Sequence, residues 1–456
     1  MPLRYCVYPG CSRPAERGSG DCMICSGHCC LKHLTPEFHT CPSENNDPDA
    51  FFTAYDSAKQ NHLQALLDKV DFDALISIAT RLHNHIPCHI PALLDNSVKA
   101  APDAKSERIL NQTGGQNCNL DICFDGGVVW IARLRFEEST VLPQDAQMTI
   151  STSEVETLKF LAQTNIRVPK VFHHSFDNIE IGTPFVLMEK LPGKPLDWYN
   201  ASAQQKTKVM EQLADVFLEL EKCPFLETGS LSQGGLVGPF AQGHLFVSPA
   251  NPLGPFSTLE ESLTSILKHE LDMIVDGELA TLATENYLTH LWRLEHLPSL
   301  LASAAGDKFY LKHGEDKGDH ILVDQDYNIT GIIDWEFATI ETKKSAFSSP
   351  CMMWPVLEYY DGSNELSQEE REFAQIFNTR GRQDMAQMIL QGRKWQRFLF
   401  FLGPTGTHHC EDFGNLFQGL RRTFEGETIG SYSQWIRLSS EANAVSLEAL
   451  QNSSGS

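Results

Sequence analysis

The sequence of 456 residues is short of positive charge. It has 36 lysines and arginines against 59 aspartates and glutamates, a formal net charge of −23. A surface with that balance repels phosphate backbones and anionic headgroups, which excludes a broad nucleic-acid-binding or membrane-binding face unless basic residues cluster locally. Long apolar runs are also missing. No stretch approaches the roughly 18 uninterrupted apolar residues that a membrane-spanning helix needs. The longest, such as Phe398-Leu399-Phe400-Phe401-Leu402, suit a buried element. Between Met1 and Cys11 there are Arg4, two prolines and two cysteines in place of an apolar signal core. The expectation is a soluble intracellular protein, of the cytoplasm or nucleus, with no membrane and no nucleic-acid partner. Apolar residues make up 41% of the chain, enough for a sizeable core, which excludes global disorder. At roughly 100–200 residues per domain the length predicts two to four folded units.

Cysteine, by contrast, is concentrated. Seven of the 13 cysteines lie in the first 41 residues, where even spacing would put about one. In an intracellular chain such a cluster with nearby histidines reads as metal binding before disulfides. Cys6, Cys11, Cys22, Cys25, Cys30, His33, His39 and Cys41 are spaced C-x4-C-x10-C-x2-C-x4-C-x2-H-x5-H-x-C. Eight soft or borderline ligands make two complete tetrahedral zinc sites. A segment of about 40 residues buries too little apolar surface to fold alone, so the metals supply its folding energy. This spacing resembles the AN-one-type zinc finger at all eight positions, over residues 6–41. The resemblance implies an interleaved cross-brace. One zinc takes Cys6, Cys11, Cys30 and His33, and the other takes Cys22, Cys25, His39 and Cys41. Cys29 is able to replace Cys30, and His28 is a spare. It also implies a module that captures a protein partner, often one tied to ubiquitin pathways.

After this finger, residues 1–42, a polar linker leads to a helical connector over residues 51–90. There Leu63, Leu66, Leu67 and Val70, then Leu75, Ile78, Ala79, Leu82 and Ile86, recur at helical spacing around a break near Asp71-Phe72-Asp73. Residues 91–107 read as a second linker. Beyond 108 the texture turns to strands. Cys118–Cys123 and Val128–Arg133 flank Asp125-Gly126-Gly127 and predict a hairpin. Ser153–Ala162 reads as a helix, and Phe172–His174 and Phe185–Met188 as strands. Helices are expected over Ala203–Lys222 and 257–305, a strand-rich island over 308–338, and helices again to about 442. Residues 443–456 read as a disordered tail.

The second informative run is His313-Gly314-Glu315-Asp316-Lys317-Gly318-Asp319-His320-Ile321-Leu322-Val323-Asp324, followed by Ile329-Thr330-Gly331-Ile332-Ile333-Asp334-Trp335-Glu336. It predicts an acidic loop, a short apolar strand, a turn, and a second apolar strand ending in an acid. Carboxylates at the ends of adjacent strands suit magnesium-assisted phosphoryl transfer. The two motifs resemble the aminoglycoside phosphotransferase family, the choline-kinase-like small-molecule kinases, over about residues 108–430. Asp316-Lys317-Gly318-Asp319-His320 is similar to fungal members.

That resemblance implies a two-lobed protein-kinase-like domain: a small lobe over 108–193, an antiparallel sheet with one helix, and a mostly helical large lobe over 194–442. Mg-ATP is expected between the lobes, and a small molecule as acceptor. By position, Asp334 is the metal-binding acid, Glu154 the helix acid and Arg133 the phosphate-binding cation it positions. Thr113–Asn119 is the phosphate loop and Phe185–Lys190 the hinge. The general-base position, Asp in the family, holds Glu315. The usual Asn position holds His320, with Asp319 as a substitute ligand. One extra methylene moves a carboxylate by about 1–1.5 Å, and a misplacement of about 1 Å costs on the order of 100-fold in rate. Neutral imidazole is a poor magnesium ligand. The expected protein is thus α+β, a double-zinc cross-brace finger plus a two-lobed kinase-like domain. It carries two zinc ions and transfers the ATP γ-phosphate to a small-molecule hydroxyl. The alternative is a catalytically impaired pseudokinase that binds a ligand and scaffolds.

Overall fold

The computed structural model describes residues 2–17, 20–94, 113–114, 116–136, 142–246, 251–304, 306–400 and 410–455. Residues 95–107 of the expected second linker and Gly115 of the expected phosphate loop lie outside them. In the finger, β1 (Asp21–Cys22) pairs antiparallel with β2 (Gly27–His28). Little else there is regular. Its packing centres on Tyr8, whose ring stacks on His33 at 4.0 Å, with Phe38 edge-on to both.

Two helices follow. Helix α1 (Pro48–Lys69) starts where Asp47 accepts from the Ala50 amide, and α2 (Phe72–Leu82) where Asp71 accepts from the Ala74 amide. Each cap satisfies a backbone donor that the first helical turn leaves free. These helices do not form a separate connector. Leu63, Leu66, Leu75, Ile78 and Ala79 are buried in one cluster with Cys118, Leu120, Ile122, Trp130, Ala132 and Leu134 of the sheet beyond. That sheet comprises β3 (Cys88–His89), β4 (Asn117–Phe124), β5 (Val129–Arg135), β6 (Val171–Ser175) and β7 (Phe185–Glu189). It is antiparallel in the order β3-β4-β5-β7-β6. The small lobe, expected to hold one helix, therefore carries helices on both faces of its sheet among the described residues. Helix α3 (Gln144–Leu161) covers one face, and α1 and α2 cover the other. The apolar alternation on β4 and β5 requires this outer layer, because an uncovered face would leave those side chains in water.

In the large lobe, β8 (Lys194–Pro195) extends the pair β12 (Ile321–Val323) and β13 (Ile329–Ile332). Between them in sequence lie α4 (Ala203–Glu221), the short hairpin β9 (Ser230–Ser232) and β10 (Leu236–Gly238), α5 (Leu259–Asp276), α6 (Ala283–Leu301) and β11 (Phe309–Lys312). Strand β11 pairs with β14 (Thr339–Thr342). The lobe ends in α7 (Gln368–Thr379), α8 (Gln383–Leu390), α9 (Arg393–Phe400), α10 (Cys410–Glu425), α11 (Tyr432–Ala442) and α12 (Ala444–Gly455). Phe217 of α4 packs with Phe373 and Phe377 of α7 in the main core, which also holds Ile321, Ile332 and Trp335. The expected disordered tail is helix α12, because Leu447 and Leu450, one turn apart, are buried. Among the described residues no helix is long and apolar enough to cross a membrane.

The finger is clamped to the large lobe. Arg17 and Glu278 form a buried ion pair with Nε and Oε2 at 2.8 Å, and the Arg17 amide donates to the Glu278 carbonyl at 2.8 Å. Arg17 also donates to the carbonyls of His244 at 3.0 Å and Phe246 at 2.9 Å. The Thr281 amide donates to the buried Glu16 carboxylate at 2.7 Å. On its other side the finger reaches α1, where Ser26 Oγ and His62 Nε2 lie 3.0 Å apart.

Candidate metal centres and active site

In the finger, the ligand atoms of Cys6, Cys11, Cys30 and His33 lie within 4.8 Å of one another, and so do those of Cys22, Cys25, His39 and Cys41. These are the two groups the interleaved arrangement implies. Cys30, not the equally buried Cys29, joins the first group. Cys6 Sγ lies 3.3 Å and Cys30 Sγ 3.5 Å from His33 Nδ1, and Cys11 Sγ lies 3.9 Å from Cys30 Sγ. In the second group Cys25 Sγ lies 3.5 Å from His39 Nε2. A tetrahedron with zinc–ligand bonds of about 2.0–2.3 Å has edges of roughly 3.3–3.8 Å. Both donor sets and spacings fit that metal.

The cleft lies between the lobes. Residues on one face of β4 and β5 alternate with the buried ones, so Asn119 and Arg133, paired across the two strands, share the face opposite α1 and α2. There Arg133 forms an ion pair with the buried Glu154 of α3, and its Nη2 lies 3.7 Å from Asp334 Oδ1 at the end of β13. Burial pushes the Glu154 carboxyl up against the opposing pull of Arg133. Arg133 Nε and Asn119 Oδ1 are buried without a hydrogen-bond partner. Such orphaned atoms, on neighbouring strands and the same face, are what a ligand with both donors and acceptors would satisfy. Asp334 has φ +62°, a left-handed conformation that Asp tolerates better than most residues, and its side chain is 46% exposed.

Two further residues complete the junction. Arg135 of β5 forms a buried ion pair with Glu336, and Asn117 Nδ2 donates to Glu336 Oε2 at 3.2 Å. Sequence reasoning missed Arg135 and Glu336. For Arg135 a signal was available, since it lies two residues beyond Arg133 on β5 and that period keeps the same face of a strand, whereas Glu336 lies in the turn past the end of β13.

The loop from 313 is arranged differently from expectation. His313 Nε2 donates to the Ile333 carbonyl at 2.9 Å, and its Nδ1 accepts from the Glu315 amide at 3.1 Å. Its role is to hold the loop against β13. Gly314 is needed for space: a Cβ there would lie 2.7 Å from the Phe337 carbonyl oxygen. His320 is buried with its ring stacked on His313 at 4.1 Å, and burial, then His313, pushes its pKa down to about 2. Glu315 is exposed, with its carboxylate 3.3 Å from Lys317 Nζ, and Asp319 is exposed. Among the described residues, Glu315, Asp319, His320 and Asp334 do not meet in a metal-sized group. The His320 ring is taken up by packing. Asp316, to which the resemblance assigns no role, lines a cavity of about 330 Å³ with Gly314 and Lys312.

Residues 133–342 match the model of the phosphotransferase enzyme family. The chain is 27% identical over 277 residues to clavilactone A biosynthesis cluster protein Y of Ampulloclitocybe clavipes, covering 55% of this chain. It spans 63% of that relative's length. Among solved structures, it is similar to the candidate aminoglycoside phosphotransferase of Ralstonia eutropha JMP134, with a TM-score of 0.42, 15% identity, 84% of this chain and 99% of that one. The streptomycin–ATP ternary complex of APH(2")-IIa has a TM-score of 0.42 at 12% identity, over 72% of this chain and 99% of that one. Over residues 133–342 the mixed helix and sheet fold is thus similar to the phosphotransferase enzyme family.

Proposed function

We propose that the protein is a zinc-binding phosphotransferase that moves the γ-phosphate of Mg-ATP to a hydroxyl of a small molecule. The observation that carries this reading is the junction of Arg133, Glu154 and Asp334, which joins sheet, helix and large lobe at one point. Arg133 would contact the phosphates while Glu154 fixes its guanidinium. Asp334 would hold magnesium, which neutralises phosphate charge when bound. Strand β7 and Lys190 would receive adenine through the backbone. The acceptor oxygen forms a bond to the γ-phosphorus, the bond to the β–γ bridging oxygen breaks, and that electron pair leaves with ADP. Glu315 takes the hydroxyl proton. The relative named for clavilactone A biosynthesis supports small-molecule metabolism as the setting. The finger would hold two zinc ions, each on four side chains.

Calorimetric titration of ATP into the full chain, with and without magnesium, tests this. Magnesium-dependent binding is expected, and no binding in either condition would refute it.

A second reading is favoured by the buried, stacked His320 and by the pairing of Glu315 with Lys317. Here the protein is a pseudokinase that binds a ligand without turnover, and the exposed Tyr5, Val7 and Leu31 of the finger meet a protein partner. Nucleotide binding without phosphoryl transfer to any acceptor in a broad screen would select it.

A further inference from the structure

The cavity of about 330 Å³ lies in the large lobe and reaches the loop that carries Glu315, with Gly314 and Asp316 in its wall. From its chemistry we infer that the acceptor is an uncharged, ring-bearing alcohol or phenol and not a polycationic sugar. The inference rests on the phosphotransferase reading for its reaction, but not for its binding.

Most of the wall is apolar, with Phe240, Leu245, Leu259, Ile266, Trp354 and Phe400 facing the space. Its polar groups are largely engaged within the protein. Glu341 accepts from the hydroxyls of Thr339 and Ser345. Gln396 donates to Ser349 and accepts from Arg393 at 2.8 Å, and Gln242 donates to the Phe337 carbonyl at 3.3 Å. The Trp354 indole donates to the Ser349 carbonyl at 2.9 Å. What remains for a ligand among the described residues is mostly hydrophobic surface, with Asp316 and Lys312 of opposite charge near the loop. A compound with several ammonium groups would find only the carboxylates of Asp316 and Glu341, opposed by Lys312, and would bury its remaining charges without partners at high cost. An apolar ring system gains from the same wall. At about 30 Å³ per water the space equals roughly eleven waters, enough for a two-ring compound. The finger braces one side of the wall, because Arg17 holds the carbonyls on either side of Leu245.

Biphenyl-4-methanol, an uncharged two-ring alcohol, is a suitable probe, and kanamycin the polycationic comparison. Both would be titrated calorimetrically, without nucleotide, into the full zinc-loaded chain. The expected result is sub-millimolar binding of the alcohol and none of kanamycin. Leu259→Asp should weaken the alcohol about tenfold. Leu259 is the first residue of α5 after the Thr258 cap, where an acid favours the helix, so the variant should fold. A second readout needs no disruptive change. The alcohol should alter tryptophan fluorescence, and Trp354→Phe should remove most of that change. Tighter binding of kanamycin than of the alcohol, or alcohol binding that neither variant alters, would overturn the inference. Failure of Mg-ATP to bind while the alcohol still binds would refute the phosphotransfer reading and leave the pocket assignment standing. Mg-ATP binding with no alcohol binding would do the reverse.

Discussion

In the finger, eight ligands separated by as many as ten residues meet in the two groups that their order implies. In the cleft, Glu315, Asp319, His320 and Asp334 sit in one run of sequence and form no such group of three or more. The difference lies in what fixes each side chain. A tetrahedral site ties residue type to distance, so a chain with the right spacing has few other arrangements. A carboxylate on a loop can turn to a nearby lysine, as Glu315 does, and carboxylates held close repel one another. An imidazole can be recruited into packing, as His320 is. The finger also has a second restraint, since its docked face is held by the buried Arg17–Glu278 pair.

The largest effect should come from the finger's metals. Structural zinc contributes apparent binding energies of about 10–16 kcal/mol in isolated fingers. Elemental analysis should give two zinc per chain in the native protein and in Cys29→Ser. It should give about one in Cys30→Ser, because only Cys30 stands with Cys6, Cys11 and His33. Two zinc in Cys30→Ser would mean that Cys29 takes its place, and the clear side of the comparison would blur.

Next in size is the clamp. Arg17→Ala leaves the buried Glu278 with the Leu3 amide but without its charged partner, which costs about 3–5 kcal/mol for such a pair. Chemical denaturation should show that loss with zinc content unchanged, and hydrogen exchange should rise at residues 244–246. An unaltered midpoint would mean that the finger is tethered by sequence alone. The cleft should respond in rate. Asp334→Ala should abolish the magnesium dependence of ATP binding, whereas Asp319→Ala should change it by less than about twofold, since Asp319 is exposed and outside any metal-sized group. Glu315→Asp, by shortening the reach, should raise turnover by up to roughly 100-fold if residue 315 is the base. If Asp316→Asn is the more damaging change, the proton goes instead to the carboxylate that lines the cavity.

Much of this molecule could be read from particular residues, and what stayed hidden has common causes. The β4–β5 hairpin was legible because Asp125-Gly126-Gly127 marks a turn between alternating strands. Helices α1 and α2 were legible as helices from their apolar spacing. Their place was not, because their packing partners lie beyond a linker and periodicity does not say what a face will meet. The Arg135–Glu336 pair joins residues 201 apart, a distance that no local pattern spans. Helix α12 escaped because two buried leucines in a polar, glycine-ending segment are a faint signal. His320 stood at a position where a ligand was expected, and only the neighbouring His313 ring explains why it packs instead.

The smallest predicted effect asks how deeply the docked finger reaches into the large lobe. Glu270 on α5 is buried, and its Oε1 has no hydrogen-bond partner. Burial pushes its pKa up to about 8, against the pull of Arg293 and of Arg17 from the finger. Nearby His269 and His290 are pushed down by burial, and so add no positive charge near neutral pH. A carboxyl raised in the folded state keeps its proton while the unfolded chain has lost it. Stability therefore falls as pH rises from the ordinary glutamate range, about 4.5, through about 8. The slope from this one group is at most about 1.4 kcal/mol per pH unit. Urea denaturation at several pH values should show that contribution as the difference between the native protein and Glu270→Gln, because histidines held below their ordinary pKa tilt the native curve the other way below about pH 6.5. In Arg17→Ala, Glu270 loses a favourable charge, so the falling window should extend above pH 8. A window unchanged in Arg17→Ala would confine the finger's influence to its contact surface, and would separate the two halves of the molecule more sharply than the buried ion pair implies.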